Sequence, residues 1–396
     1  MDREKINQIK PAGRVTEIQE YYFSKKLREV AALNAAGKDI ISLGIGGPDR
    51  MPADDVIATL CKEAQQPGNH SYQPYIGLPQ LRGQFAQWYA DNYGVTLNPD
   101  NEILPLIGSK EGIVHISFTF LNPGDAVLVP NPGYPTYSSA TRLALARIIP
   151  YDLKPENGWY PDFEQLERLA TENEIKLMWV NYPHMPTGTP ATAELFSKLI
   201  DFGRRHGIVI AHDNPYSFIL NDKPMSILAT EGAKDIAIEL NSLSKSHNMA
   251  GWRIGMLASN ATFVGWILKV KSNMDSGQFK PMMLAATKAL QAPKEWYSTL
   301  NAEYSRRREV AERIMDALGC SFDQSQRGLF LWGRIPEGAS SAEAFCDDIL
   351  YNARVFITPG FIFGSNGERY ARISLCATVE NLERALKRIE EYKRNN

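Results

Sequence analysis

Residues 191–213 read ATAELFSKLIDFGRRHGIVIAHD. Positions 191–206 have the pattern of an amphipathic helix, and Gly207 is its stop. Positions 208–212 are a short apolar run of the kind that makes a buried strand, and Asp213 stands at its carboxyl end. Outward from this unit the alternation continues. On the N-terminal side, strands are predicted at 39–45, 102–107, 126–130 and 175–181. Helices are predicted at 20–36 before Gly37, from Pro79 to Gly94, at 110–120 and at 162–173. On the C-terminal side, strands are predicted at 236–240 and 253–258. Such alternation predicts a mostly parallel sheet covered by helices on both faces, with ligands gathering at the carboxyl ends of its strands.

After Pro293 the pattern changes. A long helix at 294–318 leads into a strand at 329–335, a helix at 341–350, short strands near 355–357 and 370–374, and a last helix at 379–393. The expected fold class is therefore α/β: a large domain with a mostly parallel sheet (46–290) and a smaller α+β domain (291–396). Residues 1–45 are expected to pack with the small domain.

Composition narrows the function. The chain has 396 residues, 44% hydrophobic and 22% charged, which is ordinary for a globular protein. Its 43 basic and 45 acidic residues leave a net charge of −2, which argues against nucleic acid as the partner. The first ten residues, MDREKINQIK, carry no apolar signal segment. No apolar run approaches the roughly 20 residues that span a bilayer, so no membrane partner is expected. Cys61, Cys320, Cys346 and Cys376 lie far apart and form no C-x-x-C pair, so neither a disulfide framework nor a metal site is predicted. Reduced cysteines fit a cytoplasmic protein.

Five segments carry chemistry. The first is Ser242-Leu243-Ser244-Lys245, just past a predicted strand, with Gly251-Trp252-Arg253-Ile254-Gly255 close behind. A lysine is by default a solvated surface residue. Here two hydroxyls and Arg253 flank it, which suits a phosphate-bearing ligand held beside an amine, and an amine of lowered pKa forms a Schiff base with an aldehyde. The same letters spell S-x-x-K, a serine hydrolase motif, but its companions S-D-N and K-T-G do not occur in the chain. Second, Asp213 with Tyr216 ends the buried run; an aspartate there either caps a turn or pairs with a ring-nitrogen cation. Third, Gly108-Ser109-Lys110-Glu111-Gly112 lies between a strand and a helix, either a plain helix start or an anion site. Fourth, Asn131-Pro132-Gly133-Tyr134 is a turn that also fixes Tyr134 where its ring could stack on a flat heterocycle. Fifth, Arg372 interrupts an apolar strand, which is costly unless it is paired; it forms either a salt bridge or a fork for a carboxylate.

In this order the segments resemble the class I/II aminotransferases, the fold-type I pyridoxal-phosphate enzymes of the aspartate and LL-diaminopimelate aminotransferase type. The resemblance covers almost the whole chain. It includes Leu43-Gly44-Ile45-Gly46-Gly47-Pro48-Asp49 and Tyr72-Gln73-Pro74-Tyr75-Ile76-Gly77-Leu78-Pro79-Gln80-Leu81-Arg82. It implies pyridoxal 5'-phosphate as cofactor, amino acid and 2-oxo acid substrates, and a homodimer with its sites at the subunit interface. Residue by residue, it implies that Lys245 forms the imine with the cofactor, Asp213 pairs with the ring nitrogen, Tyr216 donates to the phenolic oxygen and Tyr134 stacks on the ring. It gives the phosphate to Ser109, Lys110, Ser242 and Arg253, with Tyr72 reaching over from a neighbouring subunit. Arg372 grips the substrate carboxylate, with Gly46 nearby and Tyr22 as a further substrate contact. The implied activity is transfer of an amino group to a 2-oxo acid, 2-oxoglutarate or pyruvate, through pyridoxamine phosphate. A C–S β-lyase of the same fold is the alternative. One position departs from the pattern: Met185 stands where the family's N-P-T-G supplies an asparagine to the phenolic oxygen.

Overall fold

The computed structural model describes residues 9–16 and 22–395. Its strands are β1 Ile41–Ser42, β2 Ile103–Leu106, β3 Ala126–Asn131, β4 Arg147–Asp152, β5 Ile175–Val180, β6 Val209–Asp213, β7 Ala237–Ser242, β8 Gly255–Ala258, β9 Ser321–Phe322, β10 Phe330–Arg334, β11 Val355–Phe356, β12 Thr358–Pro359 and β13 Tyr370–Ser374. Seven of them form one sheet in the order β2-β8-β7-β6-β5-β3-β4. The run from β7 to β4 is parallel, and β8 is antiparallel to both of its neighbours.

The segment 191–213 shows why the chain folds this way. Thr192 caps the helix Ala193–His206, its Oγ1 accepting from Leu195 N at 3.1 Å. Gly207 ends the helix in the left-handed region at φ 65°, where a side chain would be strained. The chain then enters β6 in the middle of the sheet. In the neighbouring β5, Leu177 and Trp179 join the hydrophobic layer on one face, and Met178 and Val180 join the layer on the other. A sheet covered on both faces needs apolar residues at both parities, which is why these strands read as unbroken apolar runs.

A second core forms around β10 and β13, packed by Ile314 and Met315 from the long helix Lys294–Ala317 and by Leu382 and Leu386 from the last helix, Val379–Arg394. Ile41 and Leu43 pack in this same core, and β1 pairs with β11.

Several expectations are corrected. The strand expected at 39–45 shrinks to the two residues of β1, because the next backbone groups bond to separate elements. Leu43 O accepts from Ser374 N at 2.7 Å, Gly44 O accepts from Arg372 Nη2 at 2.9 Å, and Gly46 O accepts from Lys245 Nζ. The helix expected at 20–36 is described from Tyr22 to Ala35; Glu20 and Tyr21 lie outside the described residues. The helix expected at 341–350 ends at Asp348 and runs on as a π turn, Ile349–Ala353. The helices Asp54–Ala64, Pro135–Leu143, Ala261–Lys271 and Lys280–Ala289 and the strand β4 are not among the expected elements. β4 is the sheet's edge, and Tyr151 is its one buried residue, so it lacks an apolar run.

Candidate active site

A cavity of about 460 Å³ opens at the carboxyl ends of the central strands. It brings together Gly46, Ser109, Lys110, Tyr134, Asp213, Tyr216, Ser242, Lys245, Arg253 and Arg372. Two expected residues lie elsewhere. Tyr22 lines an adjoining cavity of about 500 Å³ beside Phe23 and Arg142. Tyr72 is 91% exposed, outside both cavities.

Lys245 sits in the short helix Leu243–Ser246 directly after β7, capped by Ser242, whose Oγ accepts from Ser244 N at 3.1 Å. Burial, with help from the positive charges of Arg372 and Arg253, pushes the Lys245 amine below its ordinary value. The Ser242 hydroxyl faces Ser244 Oγ at 2.9 Å and Ile254 O at 3.2 Å. It is thus engaged away from Lys245, which removes the nucleophile–base contact that a serine hydrolase needs.

An anion cup adjoins it. The helix Ser109–Phe120 begins after Gly108, at φ 79°, with no side chain capping its first N–H groups. Those groups and the helix dipole make a place for an anion. Arg253 closes the cup: its Nη2 lies 3.5 Å from Ile107 O, and a Cβ on Gly108 would come within 2.0 Å of that same nitrogen.

Asp213 ends β6 with only 4% of its surface exposed. Oδ2 accepts from Tyr137 Oη at 3.0 Å, and Oδ1 is buried without a partner. Burial pushes this carboxyl up to about 6, against the opposing pull of Tyr137 and His212. Asn181 secures the backbone here: Nδ2 donates to Asp213 O at 2.6 Å, and Oδ1 accepts from Met185 N at 2.8 Å. Burial also raises the Tyr216 hydroxyl above its ordinary value. From sequence, Asn181 is a candidate substitute for the asparagine missing at position 185, and Tyr137 has no assigned role. Tyr137, in the first turn of the helix whose extended N-cap is Tyr134, sets its ring edge-on to that of Tyr134, the centroids 5.6 Å apart.

Arg372 lies on β13 opposite Trp332 and Thr358. Nη1 lies 3.2 Å from Met185 Sδ, and Nε is buried with no partner. The guanidinium stands 3.9 Å from the Phe330 ring centroid and 4.6 Å from that of Phe363. No carboxylate pairs with it among the described residues, so the salt-bridge alternative fails. Burial lowers its pKa to about 10. A buried cation without an anion is costly, and an incoming carboxylate would offset that cost.

The sequence pattern of the class I and II aminotransferases matches residues 38–389. The chain belongs to that family. It is 39% identical over 387 residues to an LL-diaminopimelate aminotransferase of Dehalococcoides mccartyi, covering 97% of this chain and 99% of that one. A namesake from Nitratidesulfovibrio vulgaris is 40% identical over 384 residues, covering 96% and 98%. Among solved structures, substrate-bound BacF from Bacillus subtilis superposes with a TM-score of 0.92 at 34% identity, covering 97% and 98%.

This aminotransferase is a fold-type I enzyme that uses pyridoxal 5'-phosphate, and its substrates are amino acids and 2-oxo acids. The cavity fits the cofactor. It offers a lowered amine, a buried carboxylate oxygen lacking a partner, and a cup for an anion that glycine keeps open. No helix among the described residues is long and apolar enough to cross a membrane.

Proposed function

We propose that the aminotransferase moves an amino group from an amino acid to 2-oxoglutarate or pyruvate, with the site residues in the following roles. When bound, the cofactor supplies an aldehyde carbon and a ring that accepts the electron pair left on the substrate's Cα. Asp213 keeps the proton on the ring nitrogen, Tyr216 donates to the phenolic oxygen, and Tyr134 stacks on the ring. Ser109, Lys110, Ser242 and Arg253 hold the phosphate. Arg372, beside Gly46, grips the α-carboxylate and turns the Cα–H bond toward Lys245. The Lys245 amine takes that proton from Cα and delivers it to C4′ of the cofactor, a general-base step contributing about 10²–10⁴-fold. Tyr22 reaches the substrate's far end from the adjoining cavity.

One observation carries this reading: a buried amine pushed below its ordinary value shares a cavity with a carboxylate whose second oxygen lacks a partner. Single-turnover absorbance with an amino acid and no oxo acid tests it. Conversion to pyridoxamine phosphate is expected, whereas release of pyruvate and ammonia would indicate a β-lyase. LL-diaminopimelate, the substrate in the relatives' names, heads the donor screen.

The reading includes a homodimer. Tyr72, Tyr75, Ile107, Met274 and Phe279 are large apolar residues left exposed. His70 packs on Phe279, and Gly277 abuts Gln73 and Pro74, so the segments they belong to lie together. Ile107 adjoins the anion cup, so a second copy on this face would bring its own Tyr72 to the phosphate. A cytoplasmic location accords with the four unpaired cysteines.

A further inference from the structure

Beneath the anion cup lies a charge cluster with no role in the steps above. Lys271, at the end of the helix Ala261–Lys271, is 1% exposed. Its ammonium contacts Asp275 Oδ2 and lies 4.0 Å from Glu111 Oε1. Glu111 Oε1 also meets His115 Nε2 at 2.8 Å, and Asp275 Oδ1 accepts from Gly277 N at 3.2 Å. One ligand atom each of Glu111, His115 and Asp275 lies within 4.8 Å of the others, a spacing that would hold a metal ion. Here the lysine ammonium already stands among them.

Glu111 connects this cluster to the cup. It is the third residue of the helix Ser109–Phe120, and Oε2 reaches back past the N-cap Gly108 to accept from Ile107 N. The carbonyl of Ile107 faces Arg253. A carboxylate so placed repels any anion at the helix start, and Asp275 adds a second negative charge behind it. A buried lysine is expensive unless it is paired, and this one is paired with the two charges that would otherwise oppose phosphate.

We propose that Lys271 is a built-in counter-ion that offsets one of the two negative charges of Glu111 and Asp275 and so allows the cup to accept a phosphate dianion. Lys271 is thus a positioning residue for cofactor binding. The proposal rests on the reading that Ser109, Lys110 and Arg253 hold the phosphate.

The test measures binding of pyridoxamine 5'-phosphate and of pyridoxamine, which lacks the phosphate, to the full-length chain freed of cofactor. Lys271→Met is expected to weaken the phosphate ester about tenfold or more and pyridoxamine less than about twofold. Adding Glu111→Gln to Lys271→Met is expected to restore most of the loss, because one uncompensated charge is removed. Equal weakening of both ligands, or no recovery in the double variant, overturns the proposal. Should Lys271→Met not fold, Glu111→Gln alone decides: tighter binding of the phosphate ester supports it, and unchanged or weaker binding refutes it. Arg253→Ala tests the underlying reading separately. If that variant keeps the wild-type preference for the phosphate ester, the cup is misassigned whatever Lys271 does.

Discussion

Asp213 is held at odds with its own charge. Its folded-state pKa is raised from 3.8 to about 6 by burial, so the folded chain binds this proton more tightly than the unfolded chain. Its contribution to stability is therefore fully present below about pH 4 and is lost as pH rises through 6. In the cofactor-free protein, Asp213→Asn is expected to remove that fall, which is worth roughly 3 kcal/mol in full and roughly 2 kcal/mol between pH 4.5 and 7, the two values at which urea unfolding reads it. The same variant should lower turnover at least about a hundredfold, because the ring nitrogen loses its carboxylate. Met185 is the other residue whose identity matters. It is 5% exposed, its sulfur touches Arg372, and it has no proton to give to the cofactor's phenolic oxygen. Asn181 holds Asp213 O with one of its two N–H groups and Met185 N with its oxygen, which fixes the orientation of its amide. Met185→Asn is expected to lower the pH midpoint of the holoenzyme's absorbance change by about one unit; an unchanged or higher midpoint counts against the argument.

The turn from β2 into the helix Ser109–Phe120 depends on a position without a side chain. Gly108 at φ 79° suits glycine, and a Cβ there would meet the Arg253 guanidinium. Gly108→Ala is expected to displace Arg253 and weaken cofactor binding about tenfold or more, measured by equilibrium titration, with a further ~1–2 kcal/mol of backbone strain visible in thermal unfolding. Two helices with a glycine stop were legible, since Gly94 and Gly207 close them in the left-handed region, while Ala261–Lys271, capped by Asn260, was not. The helix Pro135–Leu143 has no side-chain hydrogen bond at its cap, and edge strand β4 packs only one side chain fully, so neither left a strong mark on the sequence.

Across the whole molecule, an ion pair between buried Arg307 and solvent-exposed Asp49 joins the glycine-rich stretch 43–49 to the long helix Lys294–Ala317. Arg307 forks onto Asp49 at 2.7 and 3.0 Å, and it also donates to Glu303 at 2.9 Å and Leu375 O at 3.2 Å. Gly44 and Gly46, which bond to Arg372 and Lys245, belong to this stretch. Arg307→Ala is expected to cost about 2–3 kcal/mol, since it removes charge-assisted hydrogen bonds and the packing of a buried side chain while the carboxylates it leaves can be solvated, and to raise KM for the amino donor. Denaturant unfolding and steady-state kinetics read the two effects. For assembly, sedimentation should show a dimer. Tyr72→Phe should weaken phosphate-ester binding several-fold without dissociating the dimer, since only the hydroxyl is lost.

The sequence by itself determined the alternation of helix and strand, and with it the α/β class, because periodicity and glycine stops are local properties. It also named most of the cavity's polar residues, because Asp213 and Lys245 stand at or just after strand ends that local pattern marks, and Arg253 stands just before β8. Tertiary structure alone decided what those residues meet. The irregular path of residues 43–46, the burial of the Arg372 guanidinium with no carboxylate beside it among the described residues, and the approach of Glu111 to Lys271 all arise from contacts between segments far apart in the chain. Such contacts leave no local period to read: burial and charge pairing are set by which surfaces come together when the sheet and the second core pack.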